Sequence, residues 1–329
     1  MGILTKIAAG SIALGLAAGA AGAAELKLAD FQPPTHFVVE KVYAPFAAAV
    51  EDATGGDVTV KVFMGGELGP GPAEQYNRVV DGVADLAFSL PGYTASTFPM
   101  TLLTELPGVI DAETGTTRIL ANLDMLSDEY RRVQIVGLWN NAPNLLFMAE
   151  KPVHSMADLA GLNIRVPSRN AGLIVQAWGA NPVSMPAPEI YNAMQTGVLD
   201  GAMIDATTLG AFKLAEVTKY ITQGMETTIS DFFLIMNRDV FDGLDATAQT
   251  AIIEAGKQAS INGHDAWSGI AAGALEGFAA TEGKEVITLS EDEAATFNEA
   301  AAAAVAQILA EAEAEGIPAQ AFVDALKGE

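Results

Sequence analysis

The chain has 329 residues, half of them hydrophobic and 18% charged, with no cysteine. Its 17 Lys and Arg stand against 41 Asp and Glu, a formal charge of −24 at pH 7. That charge excludes a nucleic-acid partner, which needs clustered cations, and argues equally against an anionic membrane surface. The apolar fraction excludes a disordered chain, and the lack of Cys excludes disulfides, thiolate metal sites and a Cys nucleophile.

Residues 1–24 carry one cation, Lys6, then an apolar run over 7–18, then small residues only, with Ala21-Gly22-Ala23 fitting an A-x-A cleavage site. This reads as a secretory signal peptide. The alternative, a buried N-terminal helix, would place Gly10, Gly15, Gly19 and Gly22 in its interior, where glycine is unfavourable. Without Lys6 the mature chain holds 16 basic and 41 acidic residues, for a charge of −25. No later stretch is an apolar run long enough to span a bilayer, so the mature protein is expected to be exported, soluble and not inserted in a membrane.

A strand is predicted over 26–31, a helix over 37–53, a strand over 58–64, a helix over 73–82 and a strand over 84–89. Such alternation argues for a parallel sheet with covering helices. It restarts in mid-chain, with strands over 162–166, 183–185 and 199–204 and helices over 171–178 and 189–196. Residues 74–87 (EQYNRVVDGVADLA) and 189–202 (EIYNAMQTGVLDGA) share Glu, Tyr, Asn, Gly, Val, Asp and Ala in register. A repeat of this kind predicts two similar α/β lobes. Farther on, 231–237 (DFFLIMN) reads as an apolar strand, and 245–283 as an Ala-rich helix interrupted by Gly263 and Gly269. A short strand over 286–289 follows. Ser290 with Glu293 forms a capping box opening a helix to Glu315, and Pro318 fits the first turn of a last helix.

No G-x-G-x-x-G, G-K-[ST], H-E-x-x-H or G-x-S-x-G motif is present, so no cofactor or catalytic class is indicated. His36, His154 and His264 stand far apart, which argues against a histidine metal site. Of the seven arginines, Arg165 stands out. Alternation in Leu162-Asn163-Ile164-Arg165-Val166-Pro167 puts Leu162, Ile164 and Val166 on one face and Arg165 on the other. It also lies near the carboxyl end of a strand, where ligands bind in open α/β sheets. A planar guanidinium there matches a carboxylate with two parallel hydrogen bonds; the alternative is a strand arginine paired with a nearby acid. Arg169 is a second cation at the same exit, or a rim charge. Ser168 is placed to cap the next helix. Other strand exits should meet the same crevice: 30–36 with His36, either a helix-start residue or a contact; 89–94 with Tyr93, either a contact or packed on its own lobe; and Asn140 with Asn141 after the strand over 134–139.

At KPVHSMADLAGLNIRVPS…GANPVSMPAPEIYNAMQTGVLDG (151–201) the chain resembles the solute-binding proteins of TRAP transporters, of the DctP type. It supplies that family's Lys151-Pro152-Val153, Asp158-Leu159, Gly161-Leu162, Ile164-Arg165-Val166-Pro167, Gly179-Ala180, Pro182, Met185, Glu189, Tyr191, Gln195, Gly197 and Asp200-Gly201. GGELG (65–69), DGVADLAF (81–88), ELPGV (105–109) and FKLAEVTKY (212–220) extend the match over the mature chain. The resemblance implies a bilobed, periplasmic-binding-protein-like α/β fold around a hinged cleft, with long C-terminal helices. It implies lobe I from 25–143 plus 231–270 and lobe II from 144–230 plus 271–329. It also implies a periplasmic receptor, not an enzyme, that binds a small organic acid through the arginine at the Arg165 position and serves the integral membrane subunits of a TRAP transporter. A ligand-sensing module or an enzyme on the same scaffold are the competing readings.

The chain departs from the family at three places, one of them the Q-E-N that sialic-acid binders carry after D-G, replaced here by Ala202-Met203-Ile204. The second arginine that sialic-acid binders carry before K-P-[IV] is missing from 140–150, and the Pro-Trp-Glu of the F-K-L-x-E-V-T-K-Y branch is replaced by Asp205-Ala206-Thr207. An aromatic wall is thus expected to be lost there and an acid gained. Asp205 either faces the cleft, favouring a ligand with an amine, quaternary nitrogen or hydroxyls beside its carboxylate, or caps the following helix.

Overall fold

A computed structural model describes residues 23–328. The predicted leader therefore lies outside the described residues, except for Ala23 and Ala24. In chain order the described residues form β1 (Ala24–Ala29), α1 (Ala44–Ala53), β2 (Val58–Phe63), α2 (Gln75–Val80), β3 (Leu86–Ser89), α3 (Gly115–Ala121), β4 (Val133–Asn140) and β5 (Leu145–Met148). These are followed by β6 (Asn163–Val166), α4 (Arg169–Ala177), β7 (Asn181–Ser184), α5 (Ile190–Gln195), β8 (Gly201–Ile204), α6 (Thr208–Ala211), β9 (Tyr220–Gln223) and β10 (Asp231–Asn237). The chain ends with α7 (Arg238–Asp242), α8 (Ala246–Ala279), β11 (Glu285–Thr288), α9 (Glu291–Ala314) and α10 (Ala319–Lys327).

Two sheets result. Lobe I has the order β2-β1-β3-β10-β4, and lobe II the order β11-β9-β5-β8-β6-β7. The first three strands of lobe I are parallel, and β10 runs antiparallel to both β3 and β4. In lobe II, β7-β6-β8 are parallel and β5 runs antiparallel to β8 and β9. Apart from β11, an added edge strand of lobe II, the two patterns match, and the sequence register that aligns 74 with 189 carries α2 onto α5 and β3 onto β8. The repeat read in the sequence is therefore a repeat of structure.

Helices cover both faces of each sheet, so the central strands are apolar throughout. In β10, Phe233 and Ile235 join one core of lobe I while Phe232, Leu234 and Met236 join the other. In β5, Leu146 and Met148 face one core of lobe II and Phe147 the other. The chain passes from lobe I to lobe II between β4 and β5, and returns between β9 and β10. Two long helices cross again. The first half of α8 packs Ile252 and Ala259 into lobe I, and its end packs Ala271 and Phe278 into lobe II. In α9, Phe297 and Ala301 belong to lobe II, Ile308 and Ala312 to lobe I.

Two expectations change. The segment 271–329, assigned to lobe II from sequence, is shared: α10 carries Phe322, Val323 and Leu326 into the lobe I core. The expected interruption at Gly263 and Gly269 is absent, for α8 is one helix of 34 residues. A Cβ on Gly263 would lie 2.6 Å from the Trp139 ring, so that glycine lets the helix approach β4 closely. The capping box is present, with Ser290 and Glu293 satisfying each other's backbone N–H.

Candidate ligand-binding site

The lobes meet over a small cavity lined by residues of both. Its walls come from strand exits, where unpaired carboxyl ends of parallel strands leave room for a ligand: Phe31, Gln32 and His36 after β1; Leu90 and Tyr93 after β3; Pro167 after β6; Asp205, Thr207 and Thr208 after β8.

Arg165 is 2% exposed. It sits on β6, paired to β7 at Val183 and to β8 at Ala202, with Ile164 and Val166 turned into the opposite core. Its Nε donates to the Met185 carbonyl (2.7 Å), its Nη1 to the Met203 carbonyl (3.3 Å) and its Nη2 to the Tyr93 hydroxyl (3.3 Å). A guanidinium has five N–H groups, so two remain for a ligand, the number a carboxylate fork uses. Burial pushes its pKa down, opposed by Tyr93 and by the charge of Asp205. The ion pairs among the described residues do not include Arg165. It is thus a buried cation held by carbonyls and a hydroxyl, without an acid within 4.0 Å.

Tyr93 reaches this group from lobe I. Its hydroxyl accepts from Arg165 and from the Ala187 backbone N–H (2.9 Å). Both acceptor positions are used, so its own O–H is left to donate.

Asp205 is 3% exposed and lines the cavity. Oδ1 accepts from the Thr207 N–H (2.9 Å) and the Thr207 hydroxyl, and Oδ2 from Asn141 Nδ2 (3.0 Å). It bonds within the turn that leads to α6, whose N-cap is Thr207 without a side-chain cap bond, and it lines the cleft. Burial raises its pKa, and these hydrogen bonds oppose the rise. Asn141 and Asn144 lie on the passage from β4 to β5 and bond to the passage from β9 to β10. The Asn141 N–H donates to Ser230 O (2.9 Å), the Ser230 N–H to Asn141 Oδ1 (2.7 Å) and Asn144 Nδ2 to Thr228 Oγ1 (2.9 Å). The two inter-lobe passages are laced together directly beside the cavity.

His36, 4% exposed, lines the cavity against Phe212 of lobe II. Its Nδ1 accepts from the Val38 N–H (3.1 Å), so it also starts the first helical segment. Burial drops its pKa to about 3, and the ring is neutral.

The other three candidates do not line the cavity. Asn140 is turned into lobe I, accepting from Thr116 Oγ1 (2.7 Å) and donating to the Ala112 and Asn141 carbonyls; its neighbour Asn141 is the amide that faces the site. Ser168 caps α4 by accepting from Ala171 N (3.1 Å) and donates across the lobes to the Glu105 carboxyl. Arg169, its side chain 63% exposed, pairs with Glu311 at 3.0 Å. Sequence reasoning missed the apolar walls. Although the aromatic position after β8 is gone, Phe31, Phe88, Phe212, Phe232 and Trp267 surround the space. Phe31 stands at a strand exit and was discoverable there; Phe88 lies within β3 and reads as core, and Trp267 comes from the middle of α8 and had no local signal.

Two lobes, each with its own sheet, closing on a buried arginine, define a binding protein of the bilobed class. The chain belongs to the bacterial extracellular solute-binding proteins of family 7, the DctP family, whose model matches residues 28–312. Among curated proteins it is 31% identical over 218 residues to the uncharacterized protein YiiZ of Salmonella typhimurium, covering 64% of this chain and 66% of that one. Among solved structures, a TRAP periplasmic solute-binding protein of Bordetella bronchiseptica with bound (R)-mandelate and (S)-mandelate is 28% identical (TM-score 0.82, covering 93% of this chain and 98% of that one). A marine metagenome TRAP solute-binding protein specific for aromatic acid ligands, in complex with metahydroxyphenylacetate, is 25% identical (TM-score 0.86, with the same 93% and 98% coverage).

Proposed function

We propose that the protein is an extracytoplasmic receptor that captures a small, ring-bearing carboxylate and passes it to the membrane subunits of a TRAP transporter. The observation that carries this reading is Arg165, a buried cation with two N–H groups to spare, facing a cavity walled by aromatic rings. A charge taken out of water is costly unless an opposite charge meets it, and a carboxylate on the Arg165 fork would do so. The Tyr93 O–H would then bond the same carboxylate from the other lobe, so the ligand ties the lobes together. The ring would lie among Phe31, Phe88, Phe232 and Trp267, where aromatic pairs add about 0.5–1.5 kcal/mol beyond area burial. Asp205 would accept from a hydroxyl or amine of the ligand. The acids named for the Bordetella and metagenome relatives support this class.

The test is a thermal-shift and calorimetric screen with benzoate, 3-hydroxybenzoate, mandelate and phenylacetate. At least one should bind and raise the Tm. Arg165→Met should cost about 2–5 kcal/mol of affinity, since the ligand charge would be buried unpaired. Solute uptake by cells whose only copy is Arg165→Met should fall to background. Equal binding by Arg165→Met and the unmodified protein would overturn the reading.

A further inference from the structure

We propose that His36 is the specificity-determining donor of the cavity, a neutral imidazole whose Nε2–H hydrogen-bonds a second oxygen on the acid that Arg165 holds by its carboxylate. This rests on the carboxylate reading above and adds a second point of recognition to it.

The protonation pattern of this ring follows from its bonds. Nδ1 accepts the Val38 N–H at 3.1 Å, so Nδ1 carries no proton. A neutral imidazole with an accepting Nδ1 has its hydrogen on Nε2. Neutrality follows from the surroundings. The ring lies 4.2 Å from the Phe37 ring, 5.6 Å from Trp267 and 6.2 Å from Phe212, centroid to centroid, and burial is the one cause of its depressed pKa. Nε2 has no hydrogen-bond partner among the described residues, while the ring forms part of the cavity wall. Nε2 is not one of the fully enclosed atoms that lack a partner, so it stays accessible, and a ligand oxygen can take the bond that water otherwise makes.

The placement matters as much as the chemistry. Arg165 belongs to the floor of lobe II, whereas His36 comes from the β1 exit of lobe I. A ligand bonded at its carboxylate by one and at a second oxygen by the other is fixed in orientation as well as position. A site built to hydrogen-bond a substrate oxygen rejects the analogue lacking it more strongly than an apolar pocket rejects an added one. A hydroxyl or keto oxygen is therefore the feature this residue selects, and the unsubstituted acid should be the poorer ligand.

The experiment compares matched acids that differ by one oxygen: 3-hydroxybenzoate against benzoate, and mandelate against phenylacetate. Titration calorimetry is run on the full mature chain and on His36→Phe, which keeps a ring in the aromatic stack but removes the donor, and His36→Gln, which restores one. The unmodified protein should favour the oxygen-bearing member of at least one pair. His36→Phe should reduce that preference about tenfold, as for a single lost hydrogen bond, with little change for the member lacking the oxygen. His36→Gln should recover part of it. The proposal is overturned if neither pair is discriminated, or if His36→Phe, shown folded by circular dichroism, keeps the preference. Loss of binding of every acid in both folded variants overturns it as well, since it would make His36 a general structural support. If none of the four acids binds the unmodified protein, the carboxylate reading falls and this proposal with it; if they bind through Arg165 without discrimination, only this proposal falls.

Discussion

Asp205 shows how one side chain ties the wall of the site to the hinge. Its carboxylate satisfies the Thr207 backbone, the Thr207 hydroxyl and the Asn141 amide at once. Removing it strands buried donors on both the β8 exit and the passage between lobes. Asp205→Ala should therefore lower stability by about 1–3 kcal/mol, measured by urea unfolding without ligand; a change below a few tenths would show that water replaces these bonds freely. At this scale Arg165 was legible, because strand alternation and the Pro167 that ends the strand fix where it points. Asp205 and Tyr93 were legible as strand-exit residues. The aromatic walls were not, because Phe88, Phe232 and Trp267 each look like ordinary core in their own segment. Only the crossing of separate elements turns them into a lining. Asn140 and Asn141 were inseparable by type, and a one-residue step along the chain decided which faces the site.

At the scale of elements, closure depends on how near the β3 exit comes to the β6 exit. A Cβ on Gly92 would stand 2.9 Å from Ser168 Cβ and 3.0 Å from the Pro167 carbonyl oxygen, atoms of the other lobe that cannot give way cheaply. Gly92→Ala should fold normally but hold the lobes apart. Ligand affinity should drop about tenfold or more, for the cost of even a modest steric misfit, and small-angle scattering should show less compaction on adding ligand. Normal compaction and affinity would mean that the lobes close by another path. The elements themselves were largely readable: β10 falls where the DFFLIMN run predicts it, and the β/α alternation gave both parallel cores. Which strands change lobes was not readable from periodicity, since the antiparallel insertion of β5 and β10 involves partners far apart in sequence.

At the scale of the whole molecule, closing the lobes buries acid. Glu105 of lobe I takes a hydrogen bond from Ser168 of lobe II. Burial pushes its pKa up to about 8, and the charge of Asp231 adds to the rise while Ser168 opposes it. Asp231 is itself raised to about 7 by burial, opposed by Thr104. Opening would part Glu105 from Ser168 and, by admitting water, return its pKa toward the ordinary 4.5. The closed form thus binds the proton more tightly. Its advantage is complete below the open-form pKa and is lost as pH rises through about 8. Ligand binding near pH 6.5 should take up a proton, seen as a dependence of calorimetric enthalpy on the buffer's ionisation enthalpy. Affinity should weaken by at most about tenfold per pH unit for one proton. Glu105→Gln should abolish the uptake; unchanged uptake would place the titrating group elsewhere.

The crossing helices limit this motion from outside. α8 holds lobe I at its start and lobe II at its end, and α9 does the reverse. A helix of 34 residues is a rod about 50 Å long that bends only gently. Clamped at both ends, the pair acts as a stop on how wide the jaws gape. The aperture, and with it the bulk of any molecule able to enter, is set by two struts, of which α8 also lends Trp267 to the cavity wall while α9 lines none of it. Shortening the reach of α9 would thus retune which solutes are admitted while leaving the lining of the pocket untouched.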